Sequence, residues 1–307
     1  MKVLFVGLGS IASRHIKNLK VLYRDKVSIS IFRSGKGSEM SADVKSMVDK
    51  ICTDRSELDR KYDCVFVTNP TAVHYDTLVE MQSVSDAFFV EKPVFVTGDE
   101  DISLLNDNGR FFYVACPLRY TKVIQYLKQN IDFTKVYAVR SICSSYLPEW
   151  RPGMDYRNTY SAHKSMGGGV SIDLIHEWDY LTYLLGFPNF LQCLISKKSH
   201  LEIDSDDIAI YLAEYKDKTA ELHLDYFGRK SMRQVELFME DDTIQADLYS
   251  AKVCWMRSGK SIHFCEERDD YHKQELVHFF DIINGKVQND NGLETACKVL
   301  RLARGVL

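Results

Sequence analysis

The stretch Lys2-Val3-Leu4-Phe5-Val6-Gly7-Leu8-Gly9-Ser10-Ile11-Ala12 decides how the first third of this chain folds. An apolar run stops at two glycines, and Ile11, Ile16, Leu19 and Leu22 then recur at helical spacing. Strand, tight turn and helix follow one another. In that context the G-x-G-x-x-A pattern has a mechanical reading: Gly7 permits the turn, Gly9 lets a ligand approach the backbone, and Ala12 is small enough for the helix to pack on the strand. The helix start at Ser10 and Ile11 offers unpaired N–H groups and a positive dipole end, which suits the pyrophosphate of a dinucleotide.

Working outward, Val27–Phe32, Asp63–Thr68, Ala87–Val90 and Phe111–Cys116 read as further strands with helical stretches between them. Strands alternating with helices predict a parallel Rossmann sheet over residues 1–118. After Pro117 the rhythm changes. Val136–Cys143, Gln192–Ser196, Ile208–Tyr215, Thr219–Tyr226, Arg233–Met239 and Ala251–Met256 read as strands joined by short polar turns. Val170–Leu185, 272–284 and 293–304 read as helices. The fold class expected is α/β: an N-terminal Rossmann domain, then an α+β domain over 119–307 with an open, mostly antiparallel mixed sheet.

The 307 residues exceed the usual size of one domain, which agrees with two cores. With 45% hydrophobic and 27% charged residues the composition is that of a folded globular protein. A net charge of −4 supplies no basic footprint for nucleic acid or an anionic membrane. No stretch approaches the ~18 apolar residues a membrane helix needs, and the first apolar run is too short for a signal-peptide core. Cytoplasmic residence is expected. The eight cysteines lack C-x-x-C or zinc-like spacing, so reduced core residues are expected and no metal site.

Further segments carry chemistry. A carboxylate for the ribose 2′-OH is usual after the second strand, but this chain reads Phe32-Arg33-Ser34-Gly35-Lys36 there. Arg33, Ser34 and Lys36 suit a 2′-phosphate and lean the reading to NADP over NAD; ordinary solvated loop charges are the alternative. Glu91-Lys92-Pro93 follows a strand at the carboxyl edge of the sheet, where Lys92 can hydrogen-bond a substrate hydroxyl and the nicotinamide ribose. Thr68, Asn69 and Pro70 end another strand and can line the nicotinamide pocket. His74, on the next helix, is as readily packed or capping as touching a ligand. In Gly167–Asp179, three glycines precede a helical run on which Asp173, His176 and Asp179 are spaced i, i+3 on one face. His176 titrates near neutrality and can take a hydroxyl proton, while Asp173 orients the substrate or ring.

Gly7-x-Gly9-x-x-Ala12, Thr68-Asn69-Pro70 with His74, Glu91-Lys92-Pro93 and the Gly167–Asp179 segment, in this order and at these separations, resemble the Gfo/Idh/MocA oxidoreductases, the glucose–fructose oxidoreductase and inositol dehydrogenase family. The resemblance spans nearly the whole chain. It implies a tightly bound NAD(H) or NADP(H), and Lys92, Asp173 and His176 around the hydroxyl being oxidised. It also implies an open mixed sheet that often joins subunits, hence a homodimer or homotetramer. The family usually has three residues between the Asp and the His, whereas here only Leu174 and Ile175 intervene. Tyr146–Pro152 and Asp155–Tyr160 look like a subgroup that accompanies bacterial surface-sugar biosynthesis. Trp150 and Tyr156 can stack on a sugar face, and Arg119, Arg151 and Arg157 can pair with its carboxylate or phosphate. Asp179 joins them as a substrate-side residue; packing over the sheet is the alternative for all of these.

The activity expected is hydride transfer between nicotinamide and a secondary alcohol or ketone of a sugar, sugar acid or nucleotide sugar. Two rival readings remain: the same fold reducing an imine or tetrapyrrole, and a dinucleotide-binding sensor without turnover.

Overall fold

Strand β1 (Lys2–Val6) is buried from Val3 to Val6, the pattern of a strand covered on both faces. It lies inside a six-stranded sheet. The elements that follow are α1 (Ser10–Tyr23), β2 (Ser28–Phe32), the single turn α2 (Ala42–Lys45), β3 (Lys50–Cys52), β4 (Cys64–Val67), α3 (His74–Met81), β5 (Ala87–Val90) and β6 (Phe111–Val114). Every pairing is parallel and the order is β3-β2-β1-β4-β5-β6. The computed structural model describes residues 1–35, 39–105 and 109–307, so Lys36 lies outside the described residues. Strand β3 has no counterpart in the sequence reading, because three residues with only Cys52 buried are too short to show a period.

The second sheet takes α4 (Lys122–Asn130), β7 (Val136–Tyr146), α5 (Val170–Asp173), α6 (His176–Leu185), β8 (Phe190–Ser196), β9 (Ile208–Glu214), β10 (Thr219–Asp225), β11 (Phe227–Met239), β12 (Thr243–Asp247), β13 (Lys252–Trp255) and β14 (Ser261–His263). Its order is β14-β13-β12-β11-β7-β10-β9-β8. The β7–β10 pair is parallel and the others are antiparallel. The face is read from the alternation on β9: Ala209, Tyr211 and Ala213 are buried while Ile210 and Leu212 are exposed. A polar group sits within the buried side. Glu177, fully buried, accepts from Arg233 Nε at 2.9 Å and from the Tyr180 hydroxyl. Burial pushes the neighbouring Cys143 thiol up to about 12.

The chain closes with α7 (Arg268–Ile283) and α8 (Leu293–Ala303). It divides into two compact units, Met1–Pro117 with Arg268–Cys297 and Leu118–Glu267 with Lys298–Leu307. A single division at residue 118 therefore omits a return of the chain to the first unit. The reason is apolar. Phe5, Phe66 and Phe89 stack across β1, β4 and β5 with centroids 4.7 Å apart, and Phe279 of α7 meets Phe66 and Phe89 edge-on at 5.6 and 5.3 Å. The Asn289 and Asn291 amides then donate to the carbonyls of Phe112 and Val114, covering the edge strand β6.

Helix α7 also buries His272, whose ring lies 6.2 Å from that of His15. Desolvation first, then the positive charge of neighbours including His15, Arg14 and Arg268, lowers its pKa from 6.5 to about 2. The folded protein therefore holds His272 neutral, while the unfolded chain takes up a proton there below about pH 6.5. This contribution to stability is present above pH 6.5 and is lost as pH falls. Urea unfolding between pH 7.5 and 5 should show the parent losing stability relative to His272→Gln by about 1.4 kcal/mol for each unit below 6.5; parallel pH profiles would contradict this.

Candidate functional site

In the first unit the turn after β1 presses against the turn after β4. Gly7 has φ +89°, and a Cβ there would lie 2.7 Å from the Asn69 backbone. Gly7 N donates to Phe32 O at 2.9 Å, and the Thr68 hydroxyl reaches the carbonyls of Val6 and Gly7, each at 3.1 Å. Thr68 is thus a latch between the two strand ends. Gly9 differs: its backbone is extended and a Cβ would meet nothing within 4 Å. Nothing inside the unit demands a glycine at that place, which leaves close approach from outside as the reason for one. No side chain caps α1, and its first turn, Ser10 to Ala12, carries no acidic residue. Ser10 is exposed, Ile11 half-buried and Ala12 fully buried. These features fit a pyrophosphate. Asn69 lies beside that turn: its amide donates to Thr77 Oγ1 at 2.7 Å, and its buried Oδ1 has no partner among the described residues, an acceptor open to a ligand N–H or O–H.

Arg33 is half-buried and Ser34 exposed just beyond β2, with Arg33 N bonded to Cys52 O. Pro70 is exposed and starts the turn Thr71–Val73. Two residues read as cofactor contacts are bonded within the unit. His74 is buried, with Nε2 3.0 Å from Asn69 O and Nδ1 3.0 Å from Val94 O, so it ties two loops together. Glu91 turns inward: its Oε1 lies 2.6 Å from His15 Nε2 on α1, and His15 is fully buried. The Glu91-Lys92-Pro93 segment is thereby fixed to the helix that begins at Gly9. Lys92 follows on the same loop, half-buried, and its bond to Pro93 is cis. The sequence reading passed over His15, although a histidine in register with Ala12, Ile16 and Leu19 on the buried stripe was the available signal.

The second unit also departs from expectation. Helix α5 ends at Asp173, Leu174 leaves helical geometry at φ −96°, ψ 27°, and α6 begins at His176. Asp173, His176 and Asp179 therefore do not share one continuous helix face. The break falls where the chain is one residue short of the family spacing. Asp206 fixes α5, its carbonyl and carboxylate accepting from Val170 N and Ser171 N at 2.9 Å each. Gly169, at φ +136°, admits that carboxylate, since a Cβ there would lie 2.2 Å from Asp206 Oδ1. Asp173 is buried and accepts from the Tyr226 hydroxyl at 2.5 Å. Burial, then the charge of Asp173, holds that phenol well above its usual pKa. Trp150 meets the Tyr226 ring edge-on at 5.1 Å and donates to Ser145 Oγ. Arg151 lies over the Tyr160 ring at 5.3 Å. Tyr160, Asp206 and Tyr226 thus join Asp173 and Trp150, a grouping only the fold brings together. His176 is half-buried at the start of α6.

Four residues read as substrate contacts are bonded within the unit. Arg119 is buried in a two-pronged pair with Asp179, at 2.7 and 3.0 Å, and lies over the Tyr183 ring. The pair locks the turn Pro117–Tyr120 to α6. Arg157 binds Asp155 and Glu202 at the surface, and the Tyr156 hydroxyl accepts from Glu202 N. Among the described residues, no group of three His, Cys, Asp or Glu could hold a metal, and no helix is long and apolar enough to cross a membrane.

Residues 1–107 match the family model GFO_IDH_MocA, described as "Oxidoreductase family, NAD-binding Rossmann fold". The myo-inositol 2-dehydrogenase of Thermotoga maritima is 24% identical over 197 residues, 61% of this chain and 55% of that protein. The chain spans about half the length of the curated relatives it matches. Among solved structures, the UDP-N-acetylglucosamine 3-dehydrogenase GnnA from Acidithiobacillus ferrooxidans superposes with TM-score 0.78 at 18% identity, covering 100% of this chain and 96% of that one. The WlbA dehydrogenase from Bordetella pertussis, in complex with NADH and UDP-GlcNAcA, gives 0.79 at 14%, covering 100% and 95%. At such identities the likeness concerns the fold.

Because Glu91 is bonded to a buried histidine, its truncation leaves His15 without that partner. Glu91→Ala should cost the first unit about 3 kcal/mol in urea unfolding; a loss under about 0.5 kcal/mol, the surface range, would contradict the inward assignment.

Proposed function

We propose that this chain, whose residues 1–107 match the Gfo/Idh/MocA oxidoreductase model with its NAD-binding Rossmann fold, is a dehydrogenase acting on a secondary alcohol or ketone of a sugar, sugar acid or nucleotide sugar. The observation that carries the reading is the start of α1, uncapped and free of acidic side chains, with Gly9 open in front of it. A nicotinamide dinucleotide, when bound, supplies the hydride acceptor or donor. The residues of this chain do the rest. The α1 N-terminus and Gly9 hold the phosphates. Lys92, held in place through Glu91 and His15, hydrogen-bonds the reacting oxygen and favours its alkoxide form. His176 takes the hydroxyl proton during oxidation and returns it during reduction. Asp173, bonded to Tyr226, orients the substrate.

The second unit's relatives in fold support a sugar, since one is named as a UDP-N-acetylglucosamine dehydrogenase and another is bound to UDP-GlcNAcA. Arg33 and the missing carboxylate after β2 favour NADP(H) over NAD(H). We place subunit association on the open face of the second sheet, where Leu194, Ile210 and Leu212 are exposed side by side on β8 and β9.

A panel of sugars and nucleotide sugars, offered as alcohols with NADP+ or NAD+ and as keto forms with NADPH or NADH and followed at the nicotinamide absorbance, tests the activity. Lys92→Ala and His176→Ala should each lower kcat at least about 100-fold with cofactor affinity retained, and NADPH should be the better cofactor. Parental turnover in folded variants would end the assignment. Light scattering should report a dimer or tetramer that Leu212→Glu dissociates; a monomeric parent would contradict the proposed interface.

A further inference from the structure

Six arginines of the second unit fall into two groups. Arg119, Arg140, Arg157 and Arg233 face the carboxylates of Asp179, Glu236, Asp155 with Glu202, and Glu177, respectively. Arg151 and Arg229 do not: among the described residues each lies over a tyrosine ring, with no carboxylate as partner. The Arg229 guanidinium sits 3.7 Å from the Tyr146 centroid and that of Arg151 5.3 Å from the Tyr160 centroid. Stacking holds a guanidinium plane in one orientation and leaves its in-plane N–H donors pointing outward, the arrangement that accepts an oxyanion through two parallel bonds.

The backbone brings Arg229 there by an irregularity. Phe227 pairs with Tyr146 and Met232 with Ser144, so β11 carries three extra residues between these pairings. Arg229, Lys230 and Ser231 are pushed out of the ladder and exposed. Asp225 secures the bulge, its Oδ1 accepting from Phe227 N and Gly228 N at 3.0 and 2.7 Å. Tyr146 ends β7, and Trp150 and Arg151 follow the turn Leu147–Glu149. Trp150 lies against Tyr226, which holds Asp173. Tyr160, which carries Arg151, interacts with Asp173, and Tyr146, which carries Arg229, pairs with Phe227 beside Tyr226, so both rings adjoin the Trp150–Tyr226–Asp173 group assigned to the substrate, and no carboxylate of the described residues pairs with either arginine.

We propose that Arg151 and Arg229 form an oxyanion-binding pair that makes this protein select an acidic sugar, one carrying a phosphate or carboxylate, over a neutral one. The proposal rests on the sugar-dehydrogenase reading for its location, and its test does not depend on turnover. Calorimetric titrations with NADH saturating, so that the dinucleotide site is filled, would use four probes: UDP, UDP-N-acetylglucosamine, glucuronate and N-acetylglucosamine. The parent should bind an anionic probe more tightly than the neutral sugar. UDP compounds alone binding would identify a phosphate as the oxyanion, and glucuronate alone a carboxylate. Arg151→Ala and Arg229→Ala should each weaken that anionic probe about 10-fold to 100-fold and leave N-acetylglucosamine unchanged. Arg229→Lys should recover part of the loss, because charge returns without the fork. Arg257→Ala, on the exposed turn after β13, should match the parent. No anionic binding by the parent, variants that bind like the parent, or equal losses for the neutral sugar would each overturn the proposal. With NAD+ or NADP+ in place of NADH, failure of every bound sugar probe to reduce the nicotinamide would count against the dehydrogenase reading instead.

Discussion

The structure of the first unit depends on one contact, the meeting of Gly7 with Asn69 where the strand order reverses. A side chain at residue 7 would stand 2.7 Å from the Asn69 backbone, so the turn after β1 can lie against the turn after β4 only if that residue is glycine. Thr68 then bonds to the carbonyls of Val6 and Gly7. Together these fix where α1 begins, and they leave its N-terminus clear. The same helix carries His15 to Glu91, which sets the loop bearing Lys92. The proposed phosphate site and the loop bearing Lys92 are thus attached to one rigid element, and a disturbance at either end reaches the other through a buried pair rather than through a flexible loop.

The second unit handles charge by a different rule. Its buried ions are matched internally: Arg119 with Asp179, Arg233 with Glu177. Such pairs are costly to break and settle which turn meets which helix. Arg119 and Asp179, which in the sequence look like substrate groups, are used up in this way. Arg151 and Arg229 instead lie over tyrosine rings, with no carboxylate partner among the described residues. Binding capacity follows from which charges the fold leaves uncompensated, and the sequence does not state that.

What could be read from sequence alone follows the range of the interactions concerned. The β1–turn–α1 unit was legible because its determinants, Gly7, Gly9, Ala12 and the helical apolar spacing, are neighbours along the chain. The change from parallel to antiparallel strands near residue 118 was legible for the same reason. Three features were not. The return of α7 depends on Phe279 meeting Phe66 and Phe89, more than half the chain away. The break between Asp173 and His176 coincides with a hydrogen bond from Ser171 N to Asp206 and one from the Tyr226 hydroxyl to Asp173, both partners distant in sequence. The inward turn of Glu91 required knowing that His15 lay beneath it. The motif Glu91-Lys92-Pro93 was recognisable, but the bond of its glutamate to the buried His15 was not.

The central claim is that the clear N-terminus of α1 exists to hold a nicotinamide dinucleotide. Native mass spectrometry of the purified protein, before and after addition of NADH and NADPH, tests it most directly. The account predicts one dinucleotide per chain, retained from purification or taken up on addition, and displaced when Gly9 is replaced by a bulky residue such as valine. A chain that carries no dinucleotide and takes up neither form at saturating concentration would contradict it.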